Sequence, residues 1–370
     1  MMIGGRHWPE LGWLSILLAL TTVVTGAAFA LGRGAHVPAA DIYLLYVSRI
    51  WLLAPVLLAL GGAIASVILL ARGEQRPLHA FRTYCNERLN THADAAASFG
   101  PLLLLPLLMG GFGTLKQMIP LYNPFSWDDI WAKLGQTLCF GWTPWQLTHA
   151  VFGSPLATVF LDRLYLAWVP LLFLVVPCVA FAAPRLLRAQ FFLSFAGAFV
   201  LIGVVGAFLF SSAGPCFATL IGTRSAGNYV ELMSRLHAID AAGYNLSAVH
   251  FQNELWHAYQ QREFGFGLGI SAMPSMHNAI AFLYALAASR LGWKMAALGW
   301  TFAGLILIGS VHLGWHYLSD GLVAWAAMYG IWQAVAWYLR VSGFEQAVQV
   351  RPVPVLATLD GQRVPIRLVA

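Results

Sequence analysis

Eight runs of apolar residues, most of them close to the length of a bilayer-spanning helix, constrain this chain more than any other feature. They lie at 11–31, 50–71, 96–112, 164–183, 191–210, 278–289, 295–311 and 321–339. A helix needs about 20 residues to cross the hydrocarbon core, where only structures that satisfy their own backbone hydrogen bonds persist. The third and sixth runs are short, and their polar ends are expected to continue as helix. Because 59% of residues are hydrophobic and only 10% charged, a soluble globular domain is excluded. The expected fold class is all-α, a polytopic membrane protein with about eight transmembrane helices. Fifteen Trp and twelve Tyr are enough for aromatic belts at both interfaces.

A net charge of +6 raises the question of a nucleic-acid partner, but the basic residues are scattered between the apolar runs. That is the pattern of membrane topology, and no nucleic acid is expected. With the N-terminus inside, thirteen of the 21 Lys and Arg fall in inner segments and eight in outer ones. Both termini are therefore expected in the cytoplasm, the membrane being read as a bacterial inner membrane. Ala28-Phe29-Ala30 offers a small-x-small cleavage site, yet the run is long and its basic flank thin, so the first helix is expected to stay as an anchor. The polar segment 73–89 is expected to be a solvated inner loop. Cys85, Cys139, Cys178 and Cys216 show no paired metal spacing and are read as packing residues.

Two polar interruptions stand out, at 271–277 and 309–320. Ionisable residues at membrane depth are costly, so a functional reading is the default. His312, His316 and Asp320 are spaced four and four, which on a helix places them on one face. An imidazole beside a carboxylate is the arrangement that fixes a tautomer and raises nucleophilicity. Pro274 and Gly314 break regular structure, so both clusters are expected at helix ends. Two spans separate them, which returns the chain to the same, outer face.

These residues resemble a known family. Pro274-Ser275-Met276-His277 is similar to the second motif of the type-2 phosphatidic acid phosphatase superfamily, with Met276 in place of the usual glycine. His316 and Asp320 match the third motif. The branch resembled is the aureobasidin-resistance or inositolphosphotransferase-like one, which includes inositol phosphorylceramide synthases. Lys116-x2-Ile119-Pro120, Pro124-Phe125-x2-Asp128, Gly141-Trp142-Thr143-Pro144-Trp145 and the Ser-Ser-Ala-Gly-Pro-Cys-Phe stretch at 211–217 carry that likeness. Against the first motif, Lys-x6-Arg-Pro, Lys116 keeps the frame but Asn123 replaces the arginine, and two spans intervene before the second motif. Asp128 and Asp129 are read as cap or turn residues.

The resemblance implies a six-helix catalytic core and phosphoryl transfer through a covalent histidine. His316 would attack phosphorus with Asp320 behind it, and His277 would serve as acid and then base. Ser275, the amides around Met276, and Lys116 would hold the non-bridging oxygens. His312 and, on the outer segment 211–276, Arg224 and Arg262 are further candidates for phosphate contact, as is Arg235. That outer segment is expected to form short amphipathic helices near 229–239 and 249–259 that cap the site. The enzyme is expected to be a lipid phosphotransferase or phosphatase that needs no metal and no cofactor, acting on a membrane lipid that bears a phosphate.

Departures from the family pattern bear on the substrate. The third motif normally has an arginine six residues before its histidine, where this chain has Ser310. Two phosphate-binding arginines are thus missing by position, and fewer cations suit a monoanionic phosphodiester better than a nearly dianionic monoester. A lipid phosphomonoesterase is the alternative. Other classes are a zinc hydrolase using His277, His312, His316 and Asp320, or a transporter, which should show internal repeats that are not seen. By organisation, two helices and an inner loop at 1–95 precede a catalytic domain at 96–340, followed by a cytoplasmic tail at 341–370 whose alternation suggests a short hairpin or an inner tail without a catalytic task.

Overall fold

A computed structural model describes residues 9–71, 73–89, 91–349, 358–359 and 362–363. Of the basic residues that set the expected topology, Arg6, Arg72, Arg351 and Arg367 lie outside these. The helices, in order, are α1 (Pro9–Gly34), α2 (Ala39–Ala71), α3 (Pro77–Arg88), α4 (His92–Tyr122), α5 (Asp128–Leu138), α6 (Pro144–Phe152), α7 (Pro155–Leu166) and α8 (Trp168–Ala182). They continue with α9 (Arg185–Gly197), a π-helical segment (Ala198–Gly206), α10 (Ala207–Leu209), α11 (Val230–Ile239), α12 (Ser247–Gln261), α13 (Met276–Ala288), α14 (Trp293–His312), α15 (Leu318–Val341) and α16 (Phe344–Gln349). In the tail, Thr358–Leu359 and Gln362–Arg363 pair antiparallel, which is the hairpin of the two alternatives for that segment.

All eight apolar runs are helical, but not all as expected. Among the described residues, six helices are long and apolar enough to cross a membrane: 10–34, 92–122, 155–182, 185–209, 293–312 and 318–341. The chain is an all-α polytopic membrane protein. The third run does extend at both ends, starting at the Thr91 cap, whose hydroxyl accepts from the Asp94 amide at 3.1 Å. The sixth run does not extend. Its helix, α13, has 13 residues, about 20 Å at 1.5 Å per residue, which is short of a full crossing. Pro274 lies just upstream of its Ser275 cap, and downstream it ends at Ser289, after which Gly292, at φ +113, turns the chain into α14. The fourth run starts nine residues earlier than expected, as α7, and bends at Ala167 before α8. The inner loop at 73–89 is largely the helix α3.

Packing explains how the N-terminal helices belong to the whole. Trp13, Leu17, Val24 and Ala28 on α1 are buried, and Gly111 on α4 sits so close to Val24 that a Cβ there would meet its Cγ1 at 2.9 Å. At one end of the bundle, Glu10 of α1 takes an ion pair from fully buried Arg188 at 3.2 Å, and Arg185 pairs with Asp94 of α4. A buried charge without a partner would cost several kcal/mol, so these pairs fix the starts of α1, α4 and α9 at one level. Phe191, Phe192, Phe195 and Phe199 fill the centre.

Around the other end the short helices reverse the usual polarity. On α5 and α6 the buried face carries Asp128, Trp131, Trp145 and His149, while Ile130, Leu138 and Val151, with Phe140 and Trp142 in the connection between the two helices, are exposed. An outward apolar face of this kind suits an element at the membrane interface. The expected amphipathic helices of the outer segment are α11 and α12.

Candidate active site

The two polar clusters meet, and backbone bonds make them one unit. The Ser275 amide donates to the Asp320 carbonyl at 3.3 Å, and the His316 amide to the Ser310 carbonyl at 3.1 Å. The segment 211–217 threads between them: Ala272 donates to the Ser212 carbonyl and Cys216 to the Gly314 carbonyl, both at 2.9 Å. Gly214, at φ +101, lies so close that a Cβ would meet the Trp315 carbonyl oxygen at 2.6 Å. Only glycine fits there.

The four-and-four spacing does not place three side chains on one helix face. Gly314, at φ +72, ends α14 just after His312, and α15 starts only at Leu318, so His316 lies in the connection. Asp320 is in the first turn of α15, where its Oδ2 accepts from the Tyr317 amide at 3.0 Å and lies 3.5 Å from His316 Nδ1. The carboxylate is fully buried and its imidazole partner is 6% exposed, so the attraction is little screened. The Nδ1 side of His316 faces the carboxylate, which leaves Nε2 as its free nitrogen.

The ring of His277 lies 6.3 Å from that of His316, centroid to centroid. Both line a cavity of about 440 Å³, together with Lys116 and Met276. A tetrahedral group held between two imidazoles and an ammonium fits this geometry. Phosphoryl transfer, with one imidazole attacking and the other moving a proton, is chemistry the arrangement can do.

Other expected contacts are not brought to this cavity. His312 points away: its ring stacks on His149 at 3.8 Å and its Nε2 lies 3.0 Å from Thr158 Oγ1. Ser275 is fully buried and caps α13, its Oγ taking the Asn278 amide at 3.4 Å and side-chain nitrogen at 3.0 Å. Arg224 is exposed and its amide donates to Asp129. Arg235 pairs with Glu231 on α11. Arg262 caps α12 beside a separate cavity with Gln117 and Tyr259. Nor do the two positions without arginine point inward: Asn123 donates to the Phe208 carbonyl at 2.6 Å, and Ser310 accepts from Asn278 at 3.2 Å.

Sequence reasoning missed three contributors. Tyr165 stacks on His277 at 4.7 Å and Trp168 lies 4.3 Å from it, so two aromatics fix the orientation of that ring. Both sit within an apolar run, where nothing distinguishes them from lipid-facing aromatics. Asp128, read as a cap or turn residue, does more. Its carboxylate accepts from the Ala213 amide at 3.0 Å, the Gly214 amide at 2.8 Å and the Tyr317 hydroxyl at 3.0 Å, which ties α5 to the threading segment and to the residue after His316. Burial pushes its pKa up against the pull of those three donors. Asp129 similarly holds the amides of Arg224 and Ser225.

The His149–His312 stack makes a pH prediction. Burial holds His149 below its ordinary value of 6.5, and the charge of Arg235 adds to this against the His312 carbonyl and Glu231. The unfolded chain therefore takes up this proton first as pH falls, so the stability it gives is present above 6.5 and is lost below. Thermal unfolding followed from pH 7.5 to 5 should show that loss, at most about 1.4 kcal/mol per pH unit for one proton, and His149→Gln should lower the slope by up to that amount. An unchanged slope in that variant would refute the assignment.

Comparison with known proteins adds one finding. Searches of curated proteins and of solved structures found no match. A family model described as the PAP2 superfamily matches residues 131–334, more than half the chain, a stretch that contains both histidines and Asp320. Members of that superfamily are phosphatases and phosphotransferases that act on phosphorylated lipids. With its motifs folded into one cavity inside a helical membrane bundle, this chain belongs to the PAP2 superfamily and is an enzyme of the lipid phosphatase and phosphotransferase type.

Proposed function

We propose that the enzyme cleaves or transfers the phospho-headgroup of a phosphodiester lipid through a phosphohistidine, as an inositolphosphotransferase-like catalyst. One observation carries this reading. Among the described residues the cavity of His277 and His316 is lined by a single fixed cation, Lys116. Arg224, Arg235 and Arg262 do not fill the places of the missing arginines. One ammonium and two imidazoles suit one negative charge better than two.

His316 Nε2 attacks phosphorus and forms an N–P bond as the P–O bond to the leaving group breaks. His277 gives its proton to the departing oxygen. Asp320, facing Nδ1, stabilises the imidazolium that results. Lys116 and the unpaired amides at the start of α13 hold the non-bridging oxygens. In the second half, His277 takes the proton of water or an alcohol as its oxygen bonds to phosphorus and the N–P bond breaks. The reading assigns the chemistry to residues 96–340 and needs no metal. It also sets the cavity toward the outside of a bacterial inner membrane, with both termini in the cytoplasm.

The deciding experiment compares turnover of a diacyl phosphodiester lipid and of phosphatidic acid by the purified protein, in the presence of a chelator. A preference for the diester is expected, and a strong preference for the monoester would favour a lipid phosphatase instead. Lys116→Met should lower kcat/KM for the diester by about 10²–10³, the range for removing one oxyanion donor. A change below threefold would reduce Lys116 to a lysine that merely reaches the interface.

A further inference from the structure

The cavity reaches well beyond the two histidines, and what lies on its inner side is apolar. On α4 its wall runs from Lys116 through Phe112 to Met109, seven residues, or about 10 Å along the helix. Opposite stand Phe199, Gly203 and Ala207 of the π-helical segment and its continuation. π-helical turns are rare and concentrate at functional sites. The side of the branch is open: Leu166 and Val169, at the bend between α7 and α8, both line the cavity and are exposed on the outer surface of the bundle. In a membrane that surface meets hydrocarbon.

Gly203 sets the width of this branch. A Cβ at that position would lie 2.7 Å from Phe112 Cε2 and 3.0 Å from Met276 Sδ. Both are the far ends of side chains that line the cavity, and the aromatic ring already rests edge-on against Phe199 at 4.9 Å. Any side chain at 203 therefore pushes Phe112 or Met276 into the branch while the backbone stays in place.

We propose that this inner branch, between α4 and the π-helical segment, seats one hydrocarbon chain of the substrate, with Gly203 fixing its bore and Met109 its depth. The proposal rests on the reading of the cavity as a phosphodiester site. The chain slides in sideways past Leu166 and Val169, its phosphate halts between His277 and His316 beside Lys116, and the headgroup is left toward α12. Water is excluded along the branch, so each methylene seated there adds affinity.

Two probes with the same leaving chromophore test this, methyl 4-nitrophenyl phosphates whose departing ring carries a hexadecyl or a methyl chain at position 2 (the hexadecyl and the methyl ester), with the full-length protein in nanodiscs. Each methylene kept from an apolar site costs roughly fourfold in affinity. Gly203→Val should thus cut the hexadecyl-over-methyl ratio of kcat/KM by at least about tenfold, chiefly through KM. The methyl ester should stay within about twofold of wild type. Met109→Phe should penalise the hexadecyl ester more than an octyl one. Equal losses on both esters, or no loss on either, would overturn the proposal. Retention of hexadecylphosphonate, followed by native mass spectrometry, reads the same site without turnover. If wild type cleaves neither ester, the catalytic reading fails, yet weaker phosphonate retention in Gly203→Val still supports the chain seat and unchanged retention overturns it.

Discussion

Replacing His316 by alanine is expected to abolish turnover of a phosphodiester lipid, lowering kcat by about 10⁴ or more, while the protein still folds and inserts. The magnitude follows from what the side chain would do: removing a covalent nucleophile leaves only binding and electrostatic assistance, and residues of a catalytic unit lose most of the rate together. Asp320→Asn should cost nearly as much, because an amide cannot offset the charge that develops on the imidazole whose Nδ1 lies 3.5 Å away. The double variant should be little worse than either single one, since the two act as a unit. His277→Gln should separate the steps. Its loss slows departure of a poor leaving group strongly and that of 4-nitrophenolate much less, because the latter needs no proton. An acid-labile phosphohistidine, trapped during turnover and absent from His316→Ala, is the direct measurement. Substantial activity in His316→Ala would end the covalent reading.

The second large effect belongs to a residue outside the cavity. Asp128→Ala is expected to destabilise the fold by about 3 kcal/mol or more and to inactivate the enzyme. It leaves two amides and a tyrosine hydroxyl without their acceptor in a buried setting, and each unsatisfied donor costs about 1–3 kcal/mol. Those donors belong to Ala213, Gly214 and Tyr317, so the loss falls where the threading segment supports the loop of His316. Asp128→Asn keeps an acceptor oxygen and should lose about half as much stability. Thermal unfolding in detergent, with kcat measured on the folded fraction, checks both. A stability change below about 0.5 kcal/mol for the alanine variant would show that water replaces the carboxylate.

The long continuous apolar runs determined by themselves that this is a helical membrane protein, because a barrel strand is about half that length and alternates, so runs of this kind satisfy their backbone in lipid only as helices. The polar clusters likewise pointed to a functional site, since ionisable residues at membrane depth are costly, and it was their resemblance to the family motifs that implied histidine-based phosphoryl chemistry. Spacing alone misjudged His312: four residues before His316 means a shared face only while the helix continues, and Gly314 ends it. The short α13 was hidden for a related reason, since hydropathy reports composition and not where a proline or glycine stops a helix. Only the tertiary structure decided which polar groups reach the cavity. Lys116 does, and Arg224 and Arg262 do not, because their elements are turned by contacts far away in sequence, such as Asp129 holding the amide of Arg224. The width of the apolar branch was beyond sequence altogether, for it depends on how closely Gly203 approaches Phe112, a distance between two helices that no local pattern encodes.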